Sequence, residues 1–132
     1  MRSLILLLVG LIVGALGTAI LINSLNRGTA YPQGVMAVLG AQIGALDQSI
    51  KQNRCAPTDI IPRLQTLRYV ANDIEPAFAD RITDAQFGRY AGELRAAADA
   101  ALMSPPGNCP SAAAMLSKLK QSCDSCHRDF RG

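Results

Sequence analysis

The sequence predicts an all-α protein, an N-terminal transmembrane helix followed by an up-down-up-down four-helix bundle. Three observations carry this. Residues 3–22, SLILLLVGLIVGALGTAILI, form an uncharged apolar run. Four later segments repeat apolar residues at helical spacing between Pro, Gly and Asn breaks, and no run alternates with period two. Composition agrees: of 132 residues 49% are hydrophobic and 17% charged, a content that excludes disorder. With 4 Cys the chain is no disulfide-dense mini-protein. A net charge of +3, with no Trp, 3 Tyr and 3 Phe, argues against a nucleic-acid partner.

Residues 1–22 are the expected anchor. A run of this length rises about 30 Å as a helix, the thickness of the hydrocarbon core. A cleavable signal peptide has a shorter apolar stretch closed by a small-x-small site. Ala15-Leu16-Gly17 is a poor such site, and the run continues apolar to Ile22, so a retained single-pass anchor is expected. Gly10 and Gly14 form a G-x-x-x-G pair, a face on which a partner's membrane helix or a second copy has room to approach. Glycine is frequent in membrane helices anyway. Residues 23–31 are expected as a linker reaching at most about 30 Å. Residues 32–132 are the expected bundle domain.

The first bundle helix is expected to start at Pro32, whose missing N–H is harmless in a first turn. Val35, Leu39, Ile43, Leu46 and Ile50 are its stripe, broken near Asn53. Pro57-Thr58-Asp59 supplies the cap of the second, with Ile60, Leu64, Leu67, Ala71 and Ile74 as its stripe and Glu75-Pro76 as its stop. Thr83 or Asp84 caps the third, which carries Phe87, Ala91, Leu94, Ala98 and Leu102 and ends at Ser104-Pro105-Pro106-Gly107. Ser111 is the expected cap of the fourth, whose face holds Leu116, Leu119, Cys123, His127 and Phe130. Four amphipathic helices with short links read as a bundle.

Cys123-Asp124-Ser125-Cys126-His127 is C-x-x-C-H, the attachment pattern for a c-type haem. Thiols at i and i+3 of a helix can each form a thioether with one porphyrin edge. His127, at i+4 from Cys123, shares that face and brings an imidazole nitrogen to the iron. Competing readings fit less well. A thioredoxin-like C-x-x-C belongs to a βαβ context. A zinc site needs a fourth ligand, yet His127 is the single His and Cys55 and Cys109 lie far along the chain. A Cys123–Cys126 disulfide would distort the helix turn and leave His127 unexplained.

A C-x-x-C-H in the last of four helices resembles the class II cytochromes c, which include cytochrome c prime and its low-spin relatives. The resemblance covers the stretch from Tyr31 to Arg131: YPQGVMAVLGAQIGAL is similar to the family's first helix, and CHRDFR to its ending. It implies that the residue facing the distal side of the iron comes from the first helix, where Met36 matches. It also implies an arginine beside the proximal ligand, which Arg131 matches. Where many relatives carry a basic residue one turn before the distal position, this chain has Pro32, so the resemblance supplies no propionate contact there.

Residue arithmetic points to Met36 independently. With one His, the sixth ligand is Met, Tyr, Lys, a free Cys, water or nothing. In an up-down-up-down bundle the start of the first helix and the end of the fourth share one end, which brings Met36 near His127. Met103 and Met115 belong to the other end, Met115 about 18 Å along the helix from His127. Gly40 and Gly44 follow Met36 by one and two turns and leave room for a flat macrocycle. The alternative is that Met36 only fills space beside five-coordinate iron.

Cys55 and Cys109 fall in the two links at the end opposite the haem. Covalent haem attachment happens outside the bacterial cytoplasm, where disulfides persist, so their pairing is expected. The resulting expectation is a carrier of single electrons, not an enzyme, in the bacterial inner membrane with its soluble domain in the periplasm. Its cofactor is one covalent haem c on Cys123, Cys126, His127, Met36 and Arg131, with His127 and Met36 as iron ligands. Its partner is a membrane-bound redox complex or electron-transfer protein, reached through the Gly10/Gly14 face. The alternatives are a five-coordinate binder of nitric oxide or carbon monoxide, or an accessory structural subunit of a larger membrane complex.

Overall fold

Helical periodicity without any alternating run leaves helix packing as the only way to bury apolar surface. The structure, a computed structural model, is accordingly all-helical among the described residues. These are residues 2–131, without the side chains of 2–6 and 23–29. Five α-helices follow one another: α1 (Arg2–Lys51), α2 (Pro57–Val70), α3 (Ile74–Ala77), α4 (Ala85–Met103) and α5 (Cys109–Phe130), with 3₁₀ turns at Ala71–Asp73 and Ala79–Arg81.

The chain divides into two compact units, Met1–Gln33 and Gly34–Gly132. The first is helical, and the described part of its apolar run, residues 7–22, is exposed throughout. Among the described residues no helix is long and apolar enough to cross a membrane. Residues 3–6 of the expected span lie outside the described side chains. So do residues 23–29 of the expected linker.

Two expectations for this region are corrected. The linker at 23–31 is not an irregular tether, because its backbone lies inside α1. Asn23, Ser24, Asn26, Gly28 and Thr29 are weak helix formers, but the segment contains no proline, the one residue type that breaks a helix outright. Pro32 is likewise inside α1 and not at a helix start. Proline removes an N–H and crowds the carbonyl four residues back. The division between the two units falls directly after it, at Gln33–Gly34.

In the second unit the C-terminal part of α1, then α2, α4 and α5 alternate in direction. Cys55 of the α1–α2 link is bonded to Cys109, which is not in a link as expected but is the first residue of α5, with Cα atoms 5.2 Å apart. Farther along, Lys120 donates to Asp47 at 2.8 Å, so α5 runs back beside α1. Arg68 of α2 donates to Asp99 of α4 at 2.7 Å, and Arg95 of α4 grips Glu75 of α3 through two bonds of 2.6 and 2.7 Å. The core between them holds Val35, Leu39 and Leu46 of α1, Ile60, Leu64 and Leu67 of α2, Phe87, Ala91, Leu94 and Ala98 of α4, and Leu116 and Leu119 of α5. Ile43 and Ile50 pack only partly buried against it.

The stops and caps differ in detail from the sequence reading. Glu75-Pro76 does not end the second helix. α2 stops at Val70, a 3₁₀ turn follows, and α3 includes Pro76, yet Ala71 and Ile74 still reach the core. The N-cap of α2 is Ala56, without a side-chain bond; Pro57 starts the helix and Asp59 adds charge to its first turn. Asp84 caps α4, accepting from the Gln86 and Phe87 N–H groups at 2.9 and 3.1 Å. Ser111 is not the cap of α5. Asn108 is, and Ser111 completes a reciprocal capping box three residues later.

Candidate haem site

The last two turns of α5 place Cys123, Cys126 and His127 on one face, because i, i+3 and i+4 are neighbours on a helix. All three are partly buried and line a cavity of about 350 Å³. Its other walls are Met36, Leu39, Gly40 and Ile43 of α1, Ile74 of α3, and Tyr90, Ala91 and Leu94 of α4. The α5 wall adds Lys120, Ser122 and Asp124. Met36 therefore shares one cavity with His127, as the antiparallel arrangement of α1 and α5 requires. A side-chain carbon at Gly40 would meet no atom within 4 Å, so the α1 wall is recessed there. Gly44, expected on the same face, is not part of the lining.

Both thiols are free. Burial pushes the Cys123 thiol up, with Asp124 and Cys126 adding to it, and burial followed by Asp129 pushes up the Cys126 thiol. Reactive redox cysteines have the opposite perturbation, a lowered pKa beside a cation or helix N-terminus. Among the described residues no group of three His, Cys, Asp or Glu side chains is arranged to hold a metal ion. Outside the cavity lining, Lys120 and Lys51 hold the Asp47 carboxyl down at about 2.

The residues present fit a covalently bound haem: an apolar cavity, two protonated thiols one turn apart, an imidazole on the same face, and a thioether on the α1 wall. Arg131 is the exception. α5 ends at Phe130, and Arg131 has left helical geometry with φ −96° and ψ 83°. Its backbone N–H donates to the His127 carbonyl at 3.0 Å, but it is exposed and lines no part of the cavity. A residue beyond the helix end no longer stands on the i+4 face.

Tyr90 and Lys120 also line the cavity, outside the residues the motif and the resemblance mark. Both were within reach of helical spacing: Tyr90 stands three residues after Phe87 and four before Leu94, and Lys120 three before Cys123. Asp129 carried no such signal. It accepts from the Tyr90 hydroxyl and from Gln86 Nε2, each at 2.6 Å. No protein-family model, curated protein or solved structure matches the chain.

Proposed function

We propose that the chain is a membrane-anchored c-type cytochrome that passes single electrons to or from a membrane-bound redox complex or electron-transfer protein. One observation carries the reading: Cys123, Cys126 and His127 line the same apolar cavity as Met36. In this reading Cys123 and Cys126 hold the haem by thioethers, and His127 and Met36 supply an imidazole nitrogen and a thioether sulfur to the iron. When bound, the haem supplies a one-electron iron couple, and a His/Met pair favours electron transfer over ligand activation. Leu39, Ile43, Ile74, Ala91 and Leu94 keep water from the cavity and lower its dielectric. The single His is committed to iron, so the chain is read as a carrier and not an enzyme.

The anchor is part of the proposal. Residues 3–22 carry no charge, and the described ones expose their side chains, Leu7 by 66% and Ile20 by 70%. That much contiguous apolar surface asks for a lipid environment or a partner. Thr18, the one hydroxyl in residues 7–22, donates to the Gly14 carbonyl at 2.8 Å and so needs no water. The oxidised pair Cys55–Cys109 suits an oxidising compartment, which favours the periplasmic side of a bacterial inner membrane.

The test is haem staining on denaturing gels together with the visible spectrum. Stain should stay on the intact wild-type chain after acid–acetone extraction, and most of it should vanish in Cys123→Ala, Cys126→Ala. Met36→Ala should turn a low-spin spectrum high-spin and open the iron to carbon monoxide. Extractable stain would refute covalent attachment. A wild-type chain already high-spin and open to carbon monoxide would assign the site to gas binding.

A further inference from the structure

We infer that Tyr90 is a positioning residue for His127, acting through the last two residues of α5. The inference rests on the haem reading for what His127 does, but its geometry stands apart from it. α5 ends at Phe130, so His127 lies in the final turn; its carbonyl accepts from the Arg131 N–H at 3.0 Å, and helix ends fray at this point. A metal-ligating imidazole needs its direction held within about 0.5 Å by surrounding groups. A terminal turn does not supply that by itself.

Side chains of α4 supply it from two sides. The Tyr90 hydroxyl and Gln86 Nε2 both donate to Asp129 Oδ2, each at 2.6 Å. The neighbouring Phe130 ring meets Phe87 edge-on at 5.3 Å between centroids, and Tyr90 at 6.2 Å. Asp129 and Phe130 follow His127 by two and three residues, so the clamp closes on the turn that carries the imidazole. Tyr90 joins the two halves of this arrangement. Its ring lines the cavity beside Cys126 and His127, and its hydroxyl holds Asp129. Asp129 and Gln86 are exposed, so these bonds add little to global stability. Their effect is local order in the last turn of α5.

The full chain in detergent micelles tests this with three variants. Tyr90→Phe keeps the ring and removes the donor, Asp129→Leu removes the acceptor, and Asp129→Asn keeps a carbonyl oxygen that can accept. Amide hydrogen exchange of residues 126–130 should quicken about threefold to tenfold in Tyr90→Phe and Asp129→Leu, the range that one net hydrogen bond spans. The amides of Leu64 and Leu67 should keep their rates. Side-chain NMR relaxation should show the His127 ring more mobile in the same two variants, and Asp129→Asn should restore both readouts. In haem-stained chain the visible spectrum and reduction potential should move with them. Unchanged exchange and ring order in a stained chain would overturn the clamp and leave the haem reading intact. Faster exchange with an unmoved His127 ring and spectrum would reduce Tyr90 to packing and also overturn it. A wild-type chain without stain whose His127 ring loosens in Tyr90→Phe would support the clamp and remove the haem.

Discussion

Replacing both Cys55 and Cys109 by Ala removes a covalent tie whose contribution follows from the length of chain it closes. The sequence separation is 54 residues. Loop-closure entropy for such a loop stabilises the folded state by about 4 kcal/mol at 25 °C. A domain the size of Gly34–Gly132 has a total stability of about 5–15 kcal/mol, so the loss is a large fraction of it. Each kcal/mol shifts the melting temperature of a domain this size by about 4–8 °C, which sets an expected fall of roughly 15–30 °C. Ala keeps the Cβ of Cys55, which is only 6% exposed, so lost packing adds little to the entropic term. The assay is thermal unfolding by circular dichroism of wild type and double variant in the same detergent, with the mass of wild type before and after reduction. Reduction should add two protons. The bond joins the α1–α2 link to the start of α5, at the opposite end of that helix from Cys123 and His127, so haem staining should be unaffected. A wild-type mass unchanged by reduction, or a fall below about 5 °C, would refute the reasoning.

Three further predictions concern the bundle. The Arg95 guanidinium beside Glu75 holds its carboxyl below the ordinary 4.5, so this contribution is fully present above pH 4.5 and fades as acid protonates Glu75. Arg95→Met should therefore cost about 1–2 kcal/mol at pH 7. The gap to wild type should narrow as pH falls below 4.5 in denaturant titrations, and a gap independent of pH would contradict it. Gln42 stands on the α1 stripe between Leu39 and Leu46, and its Oε1 is buried without a hydrogen-bond partner among the described residues. Gln42→Leu should stabilise by about 1 kcal/mol, read as a rise in melting temperature, and a lower one would count against it. Asp84→Ala should cost about 1 kcal/mol by leaving the Gln86 and Phe87 N–H groups without their acceptor, and Asp84→Ser should recover most of that in the same melt.

Much of the bundle was legible because its information is local. Leu39, Leu46, Ile60, Leu64, Leu67, Phe87, Ala91, Leu94 and Leu119 repeat at helical spacing and are buried in the structure. The pairing of Cys55 with Cys109 followed from counting which links share an end. Helix ends are less local. Proline reads as a boundary, yet Pro32 and Pro76 both lie inside helices; around Pro76 the buried Ile74 and Ala77 hold a turn that one missing N–H weakens. Ser111 suits the cap of α5 by residue type. Asn108, three residues earlier, makes the bond, with Ser111 as its reciprocal partner.

By itself the sequence determined the helical class, the core stripes and the face shared by Cys123, Cys126 and His127. Each depends on spacing within one segment, and the helix repeat converts spacing to geometry without help from elsewhere. Only the tertiary structure decided which faces meet. It set Tyr90 and Ile74 into the cavity wall beside Met36, left Gly44 out, and brought Asp129 to Gln86 and Tyr90. It also ended α5 at Phe130, which left Arg131 outside the cavity lining where the resemblance placed an arginine. These outcomes hinge on the rotation and extent of neighbouring helices. A pattern along one helix does not encode them, because they arise from the packing of four stripes at once.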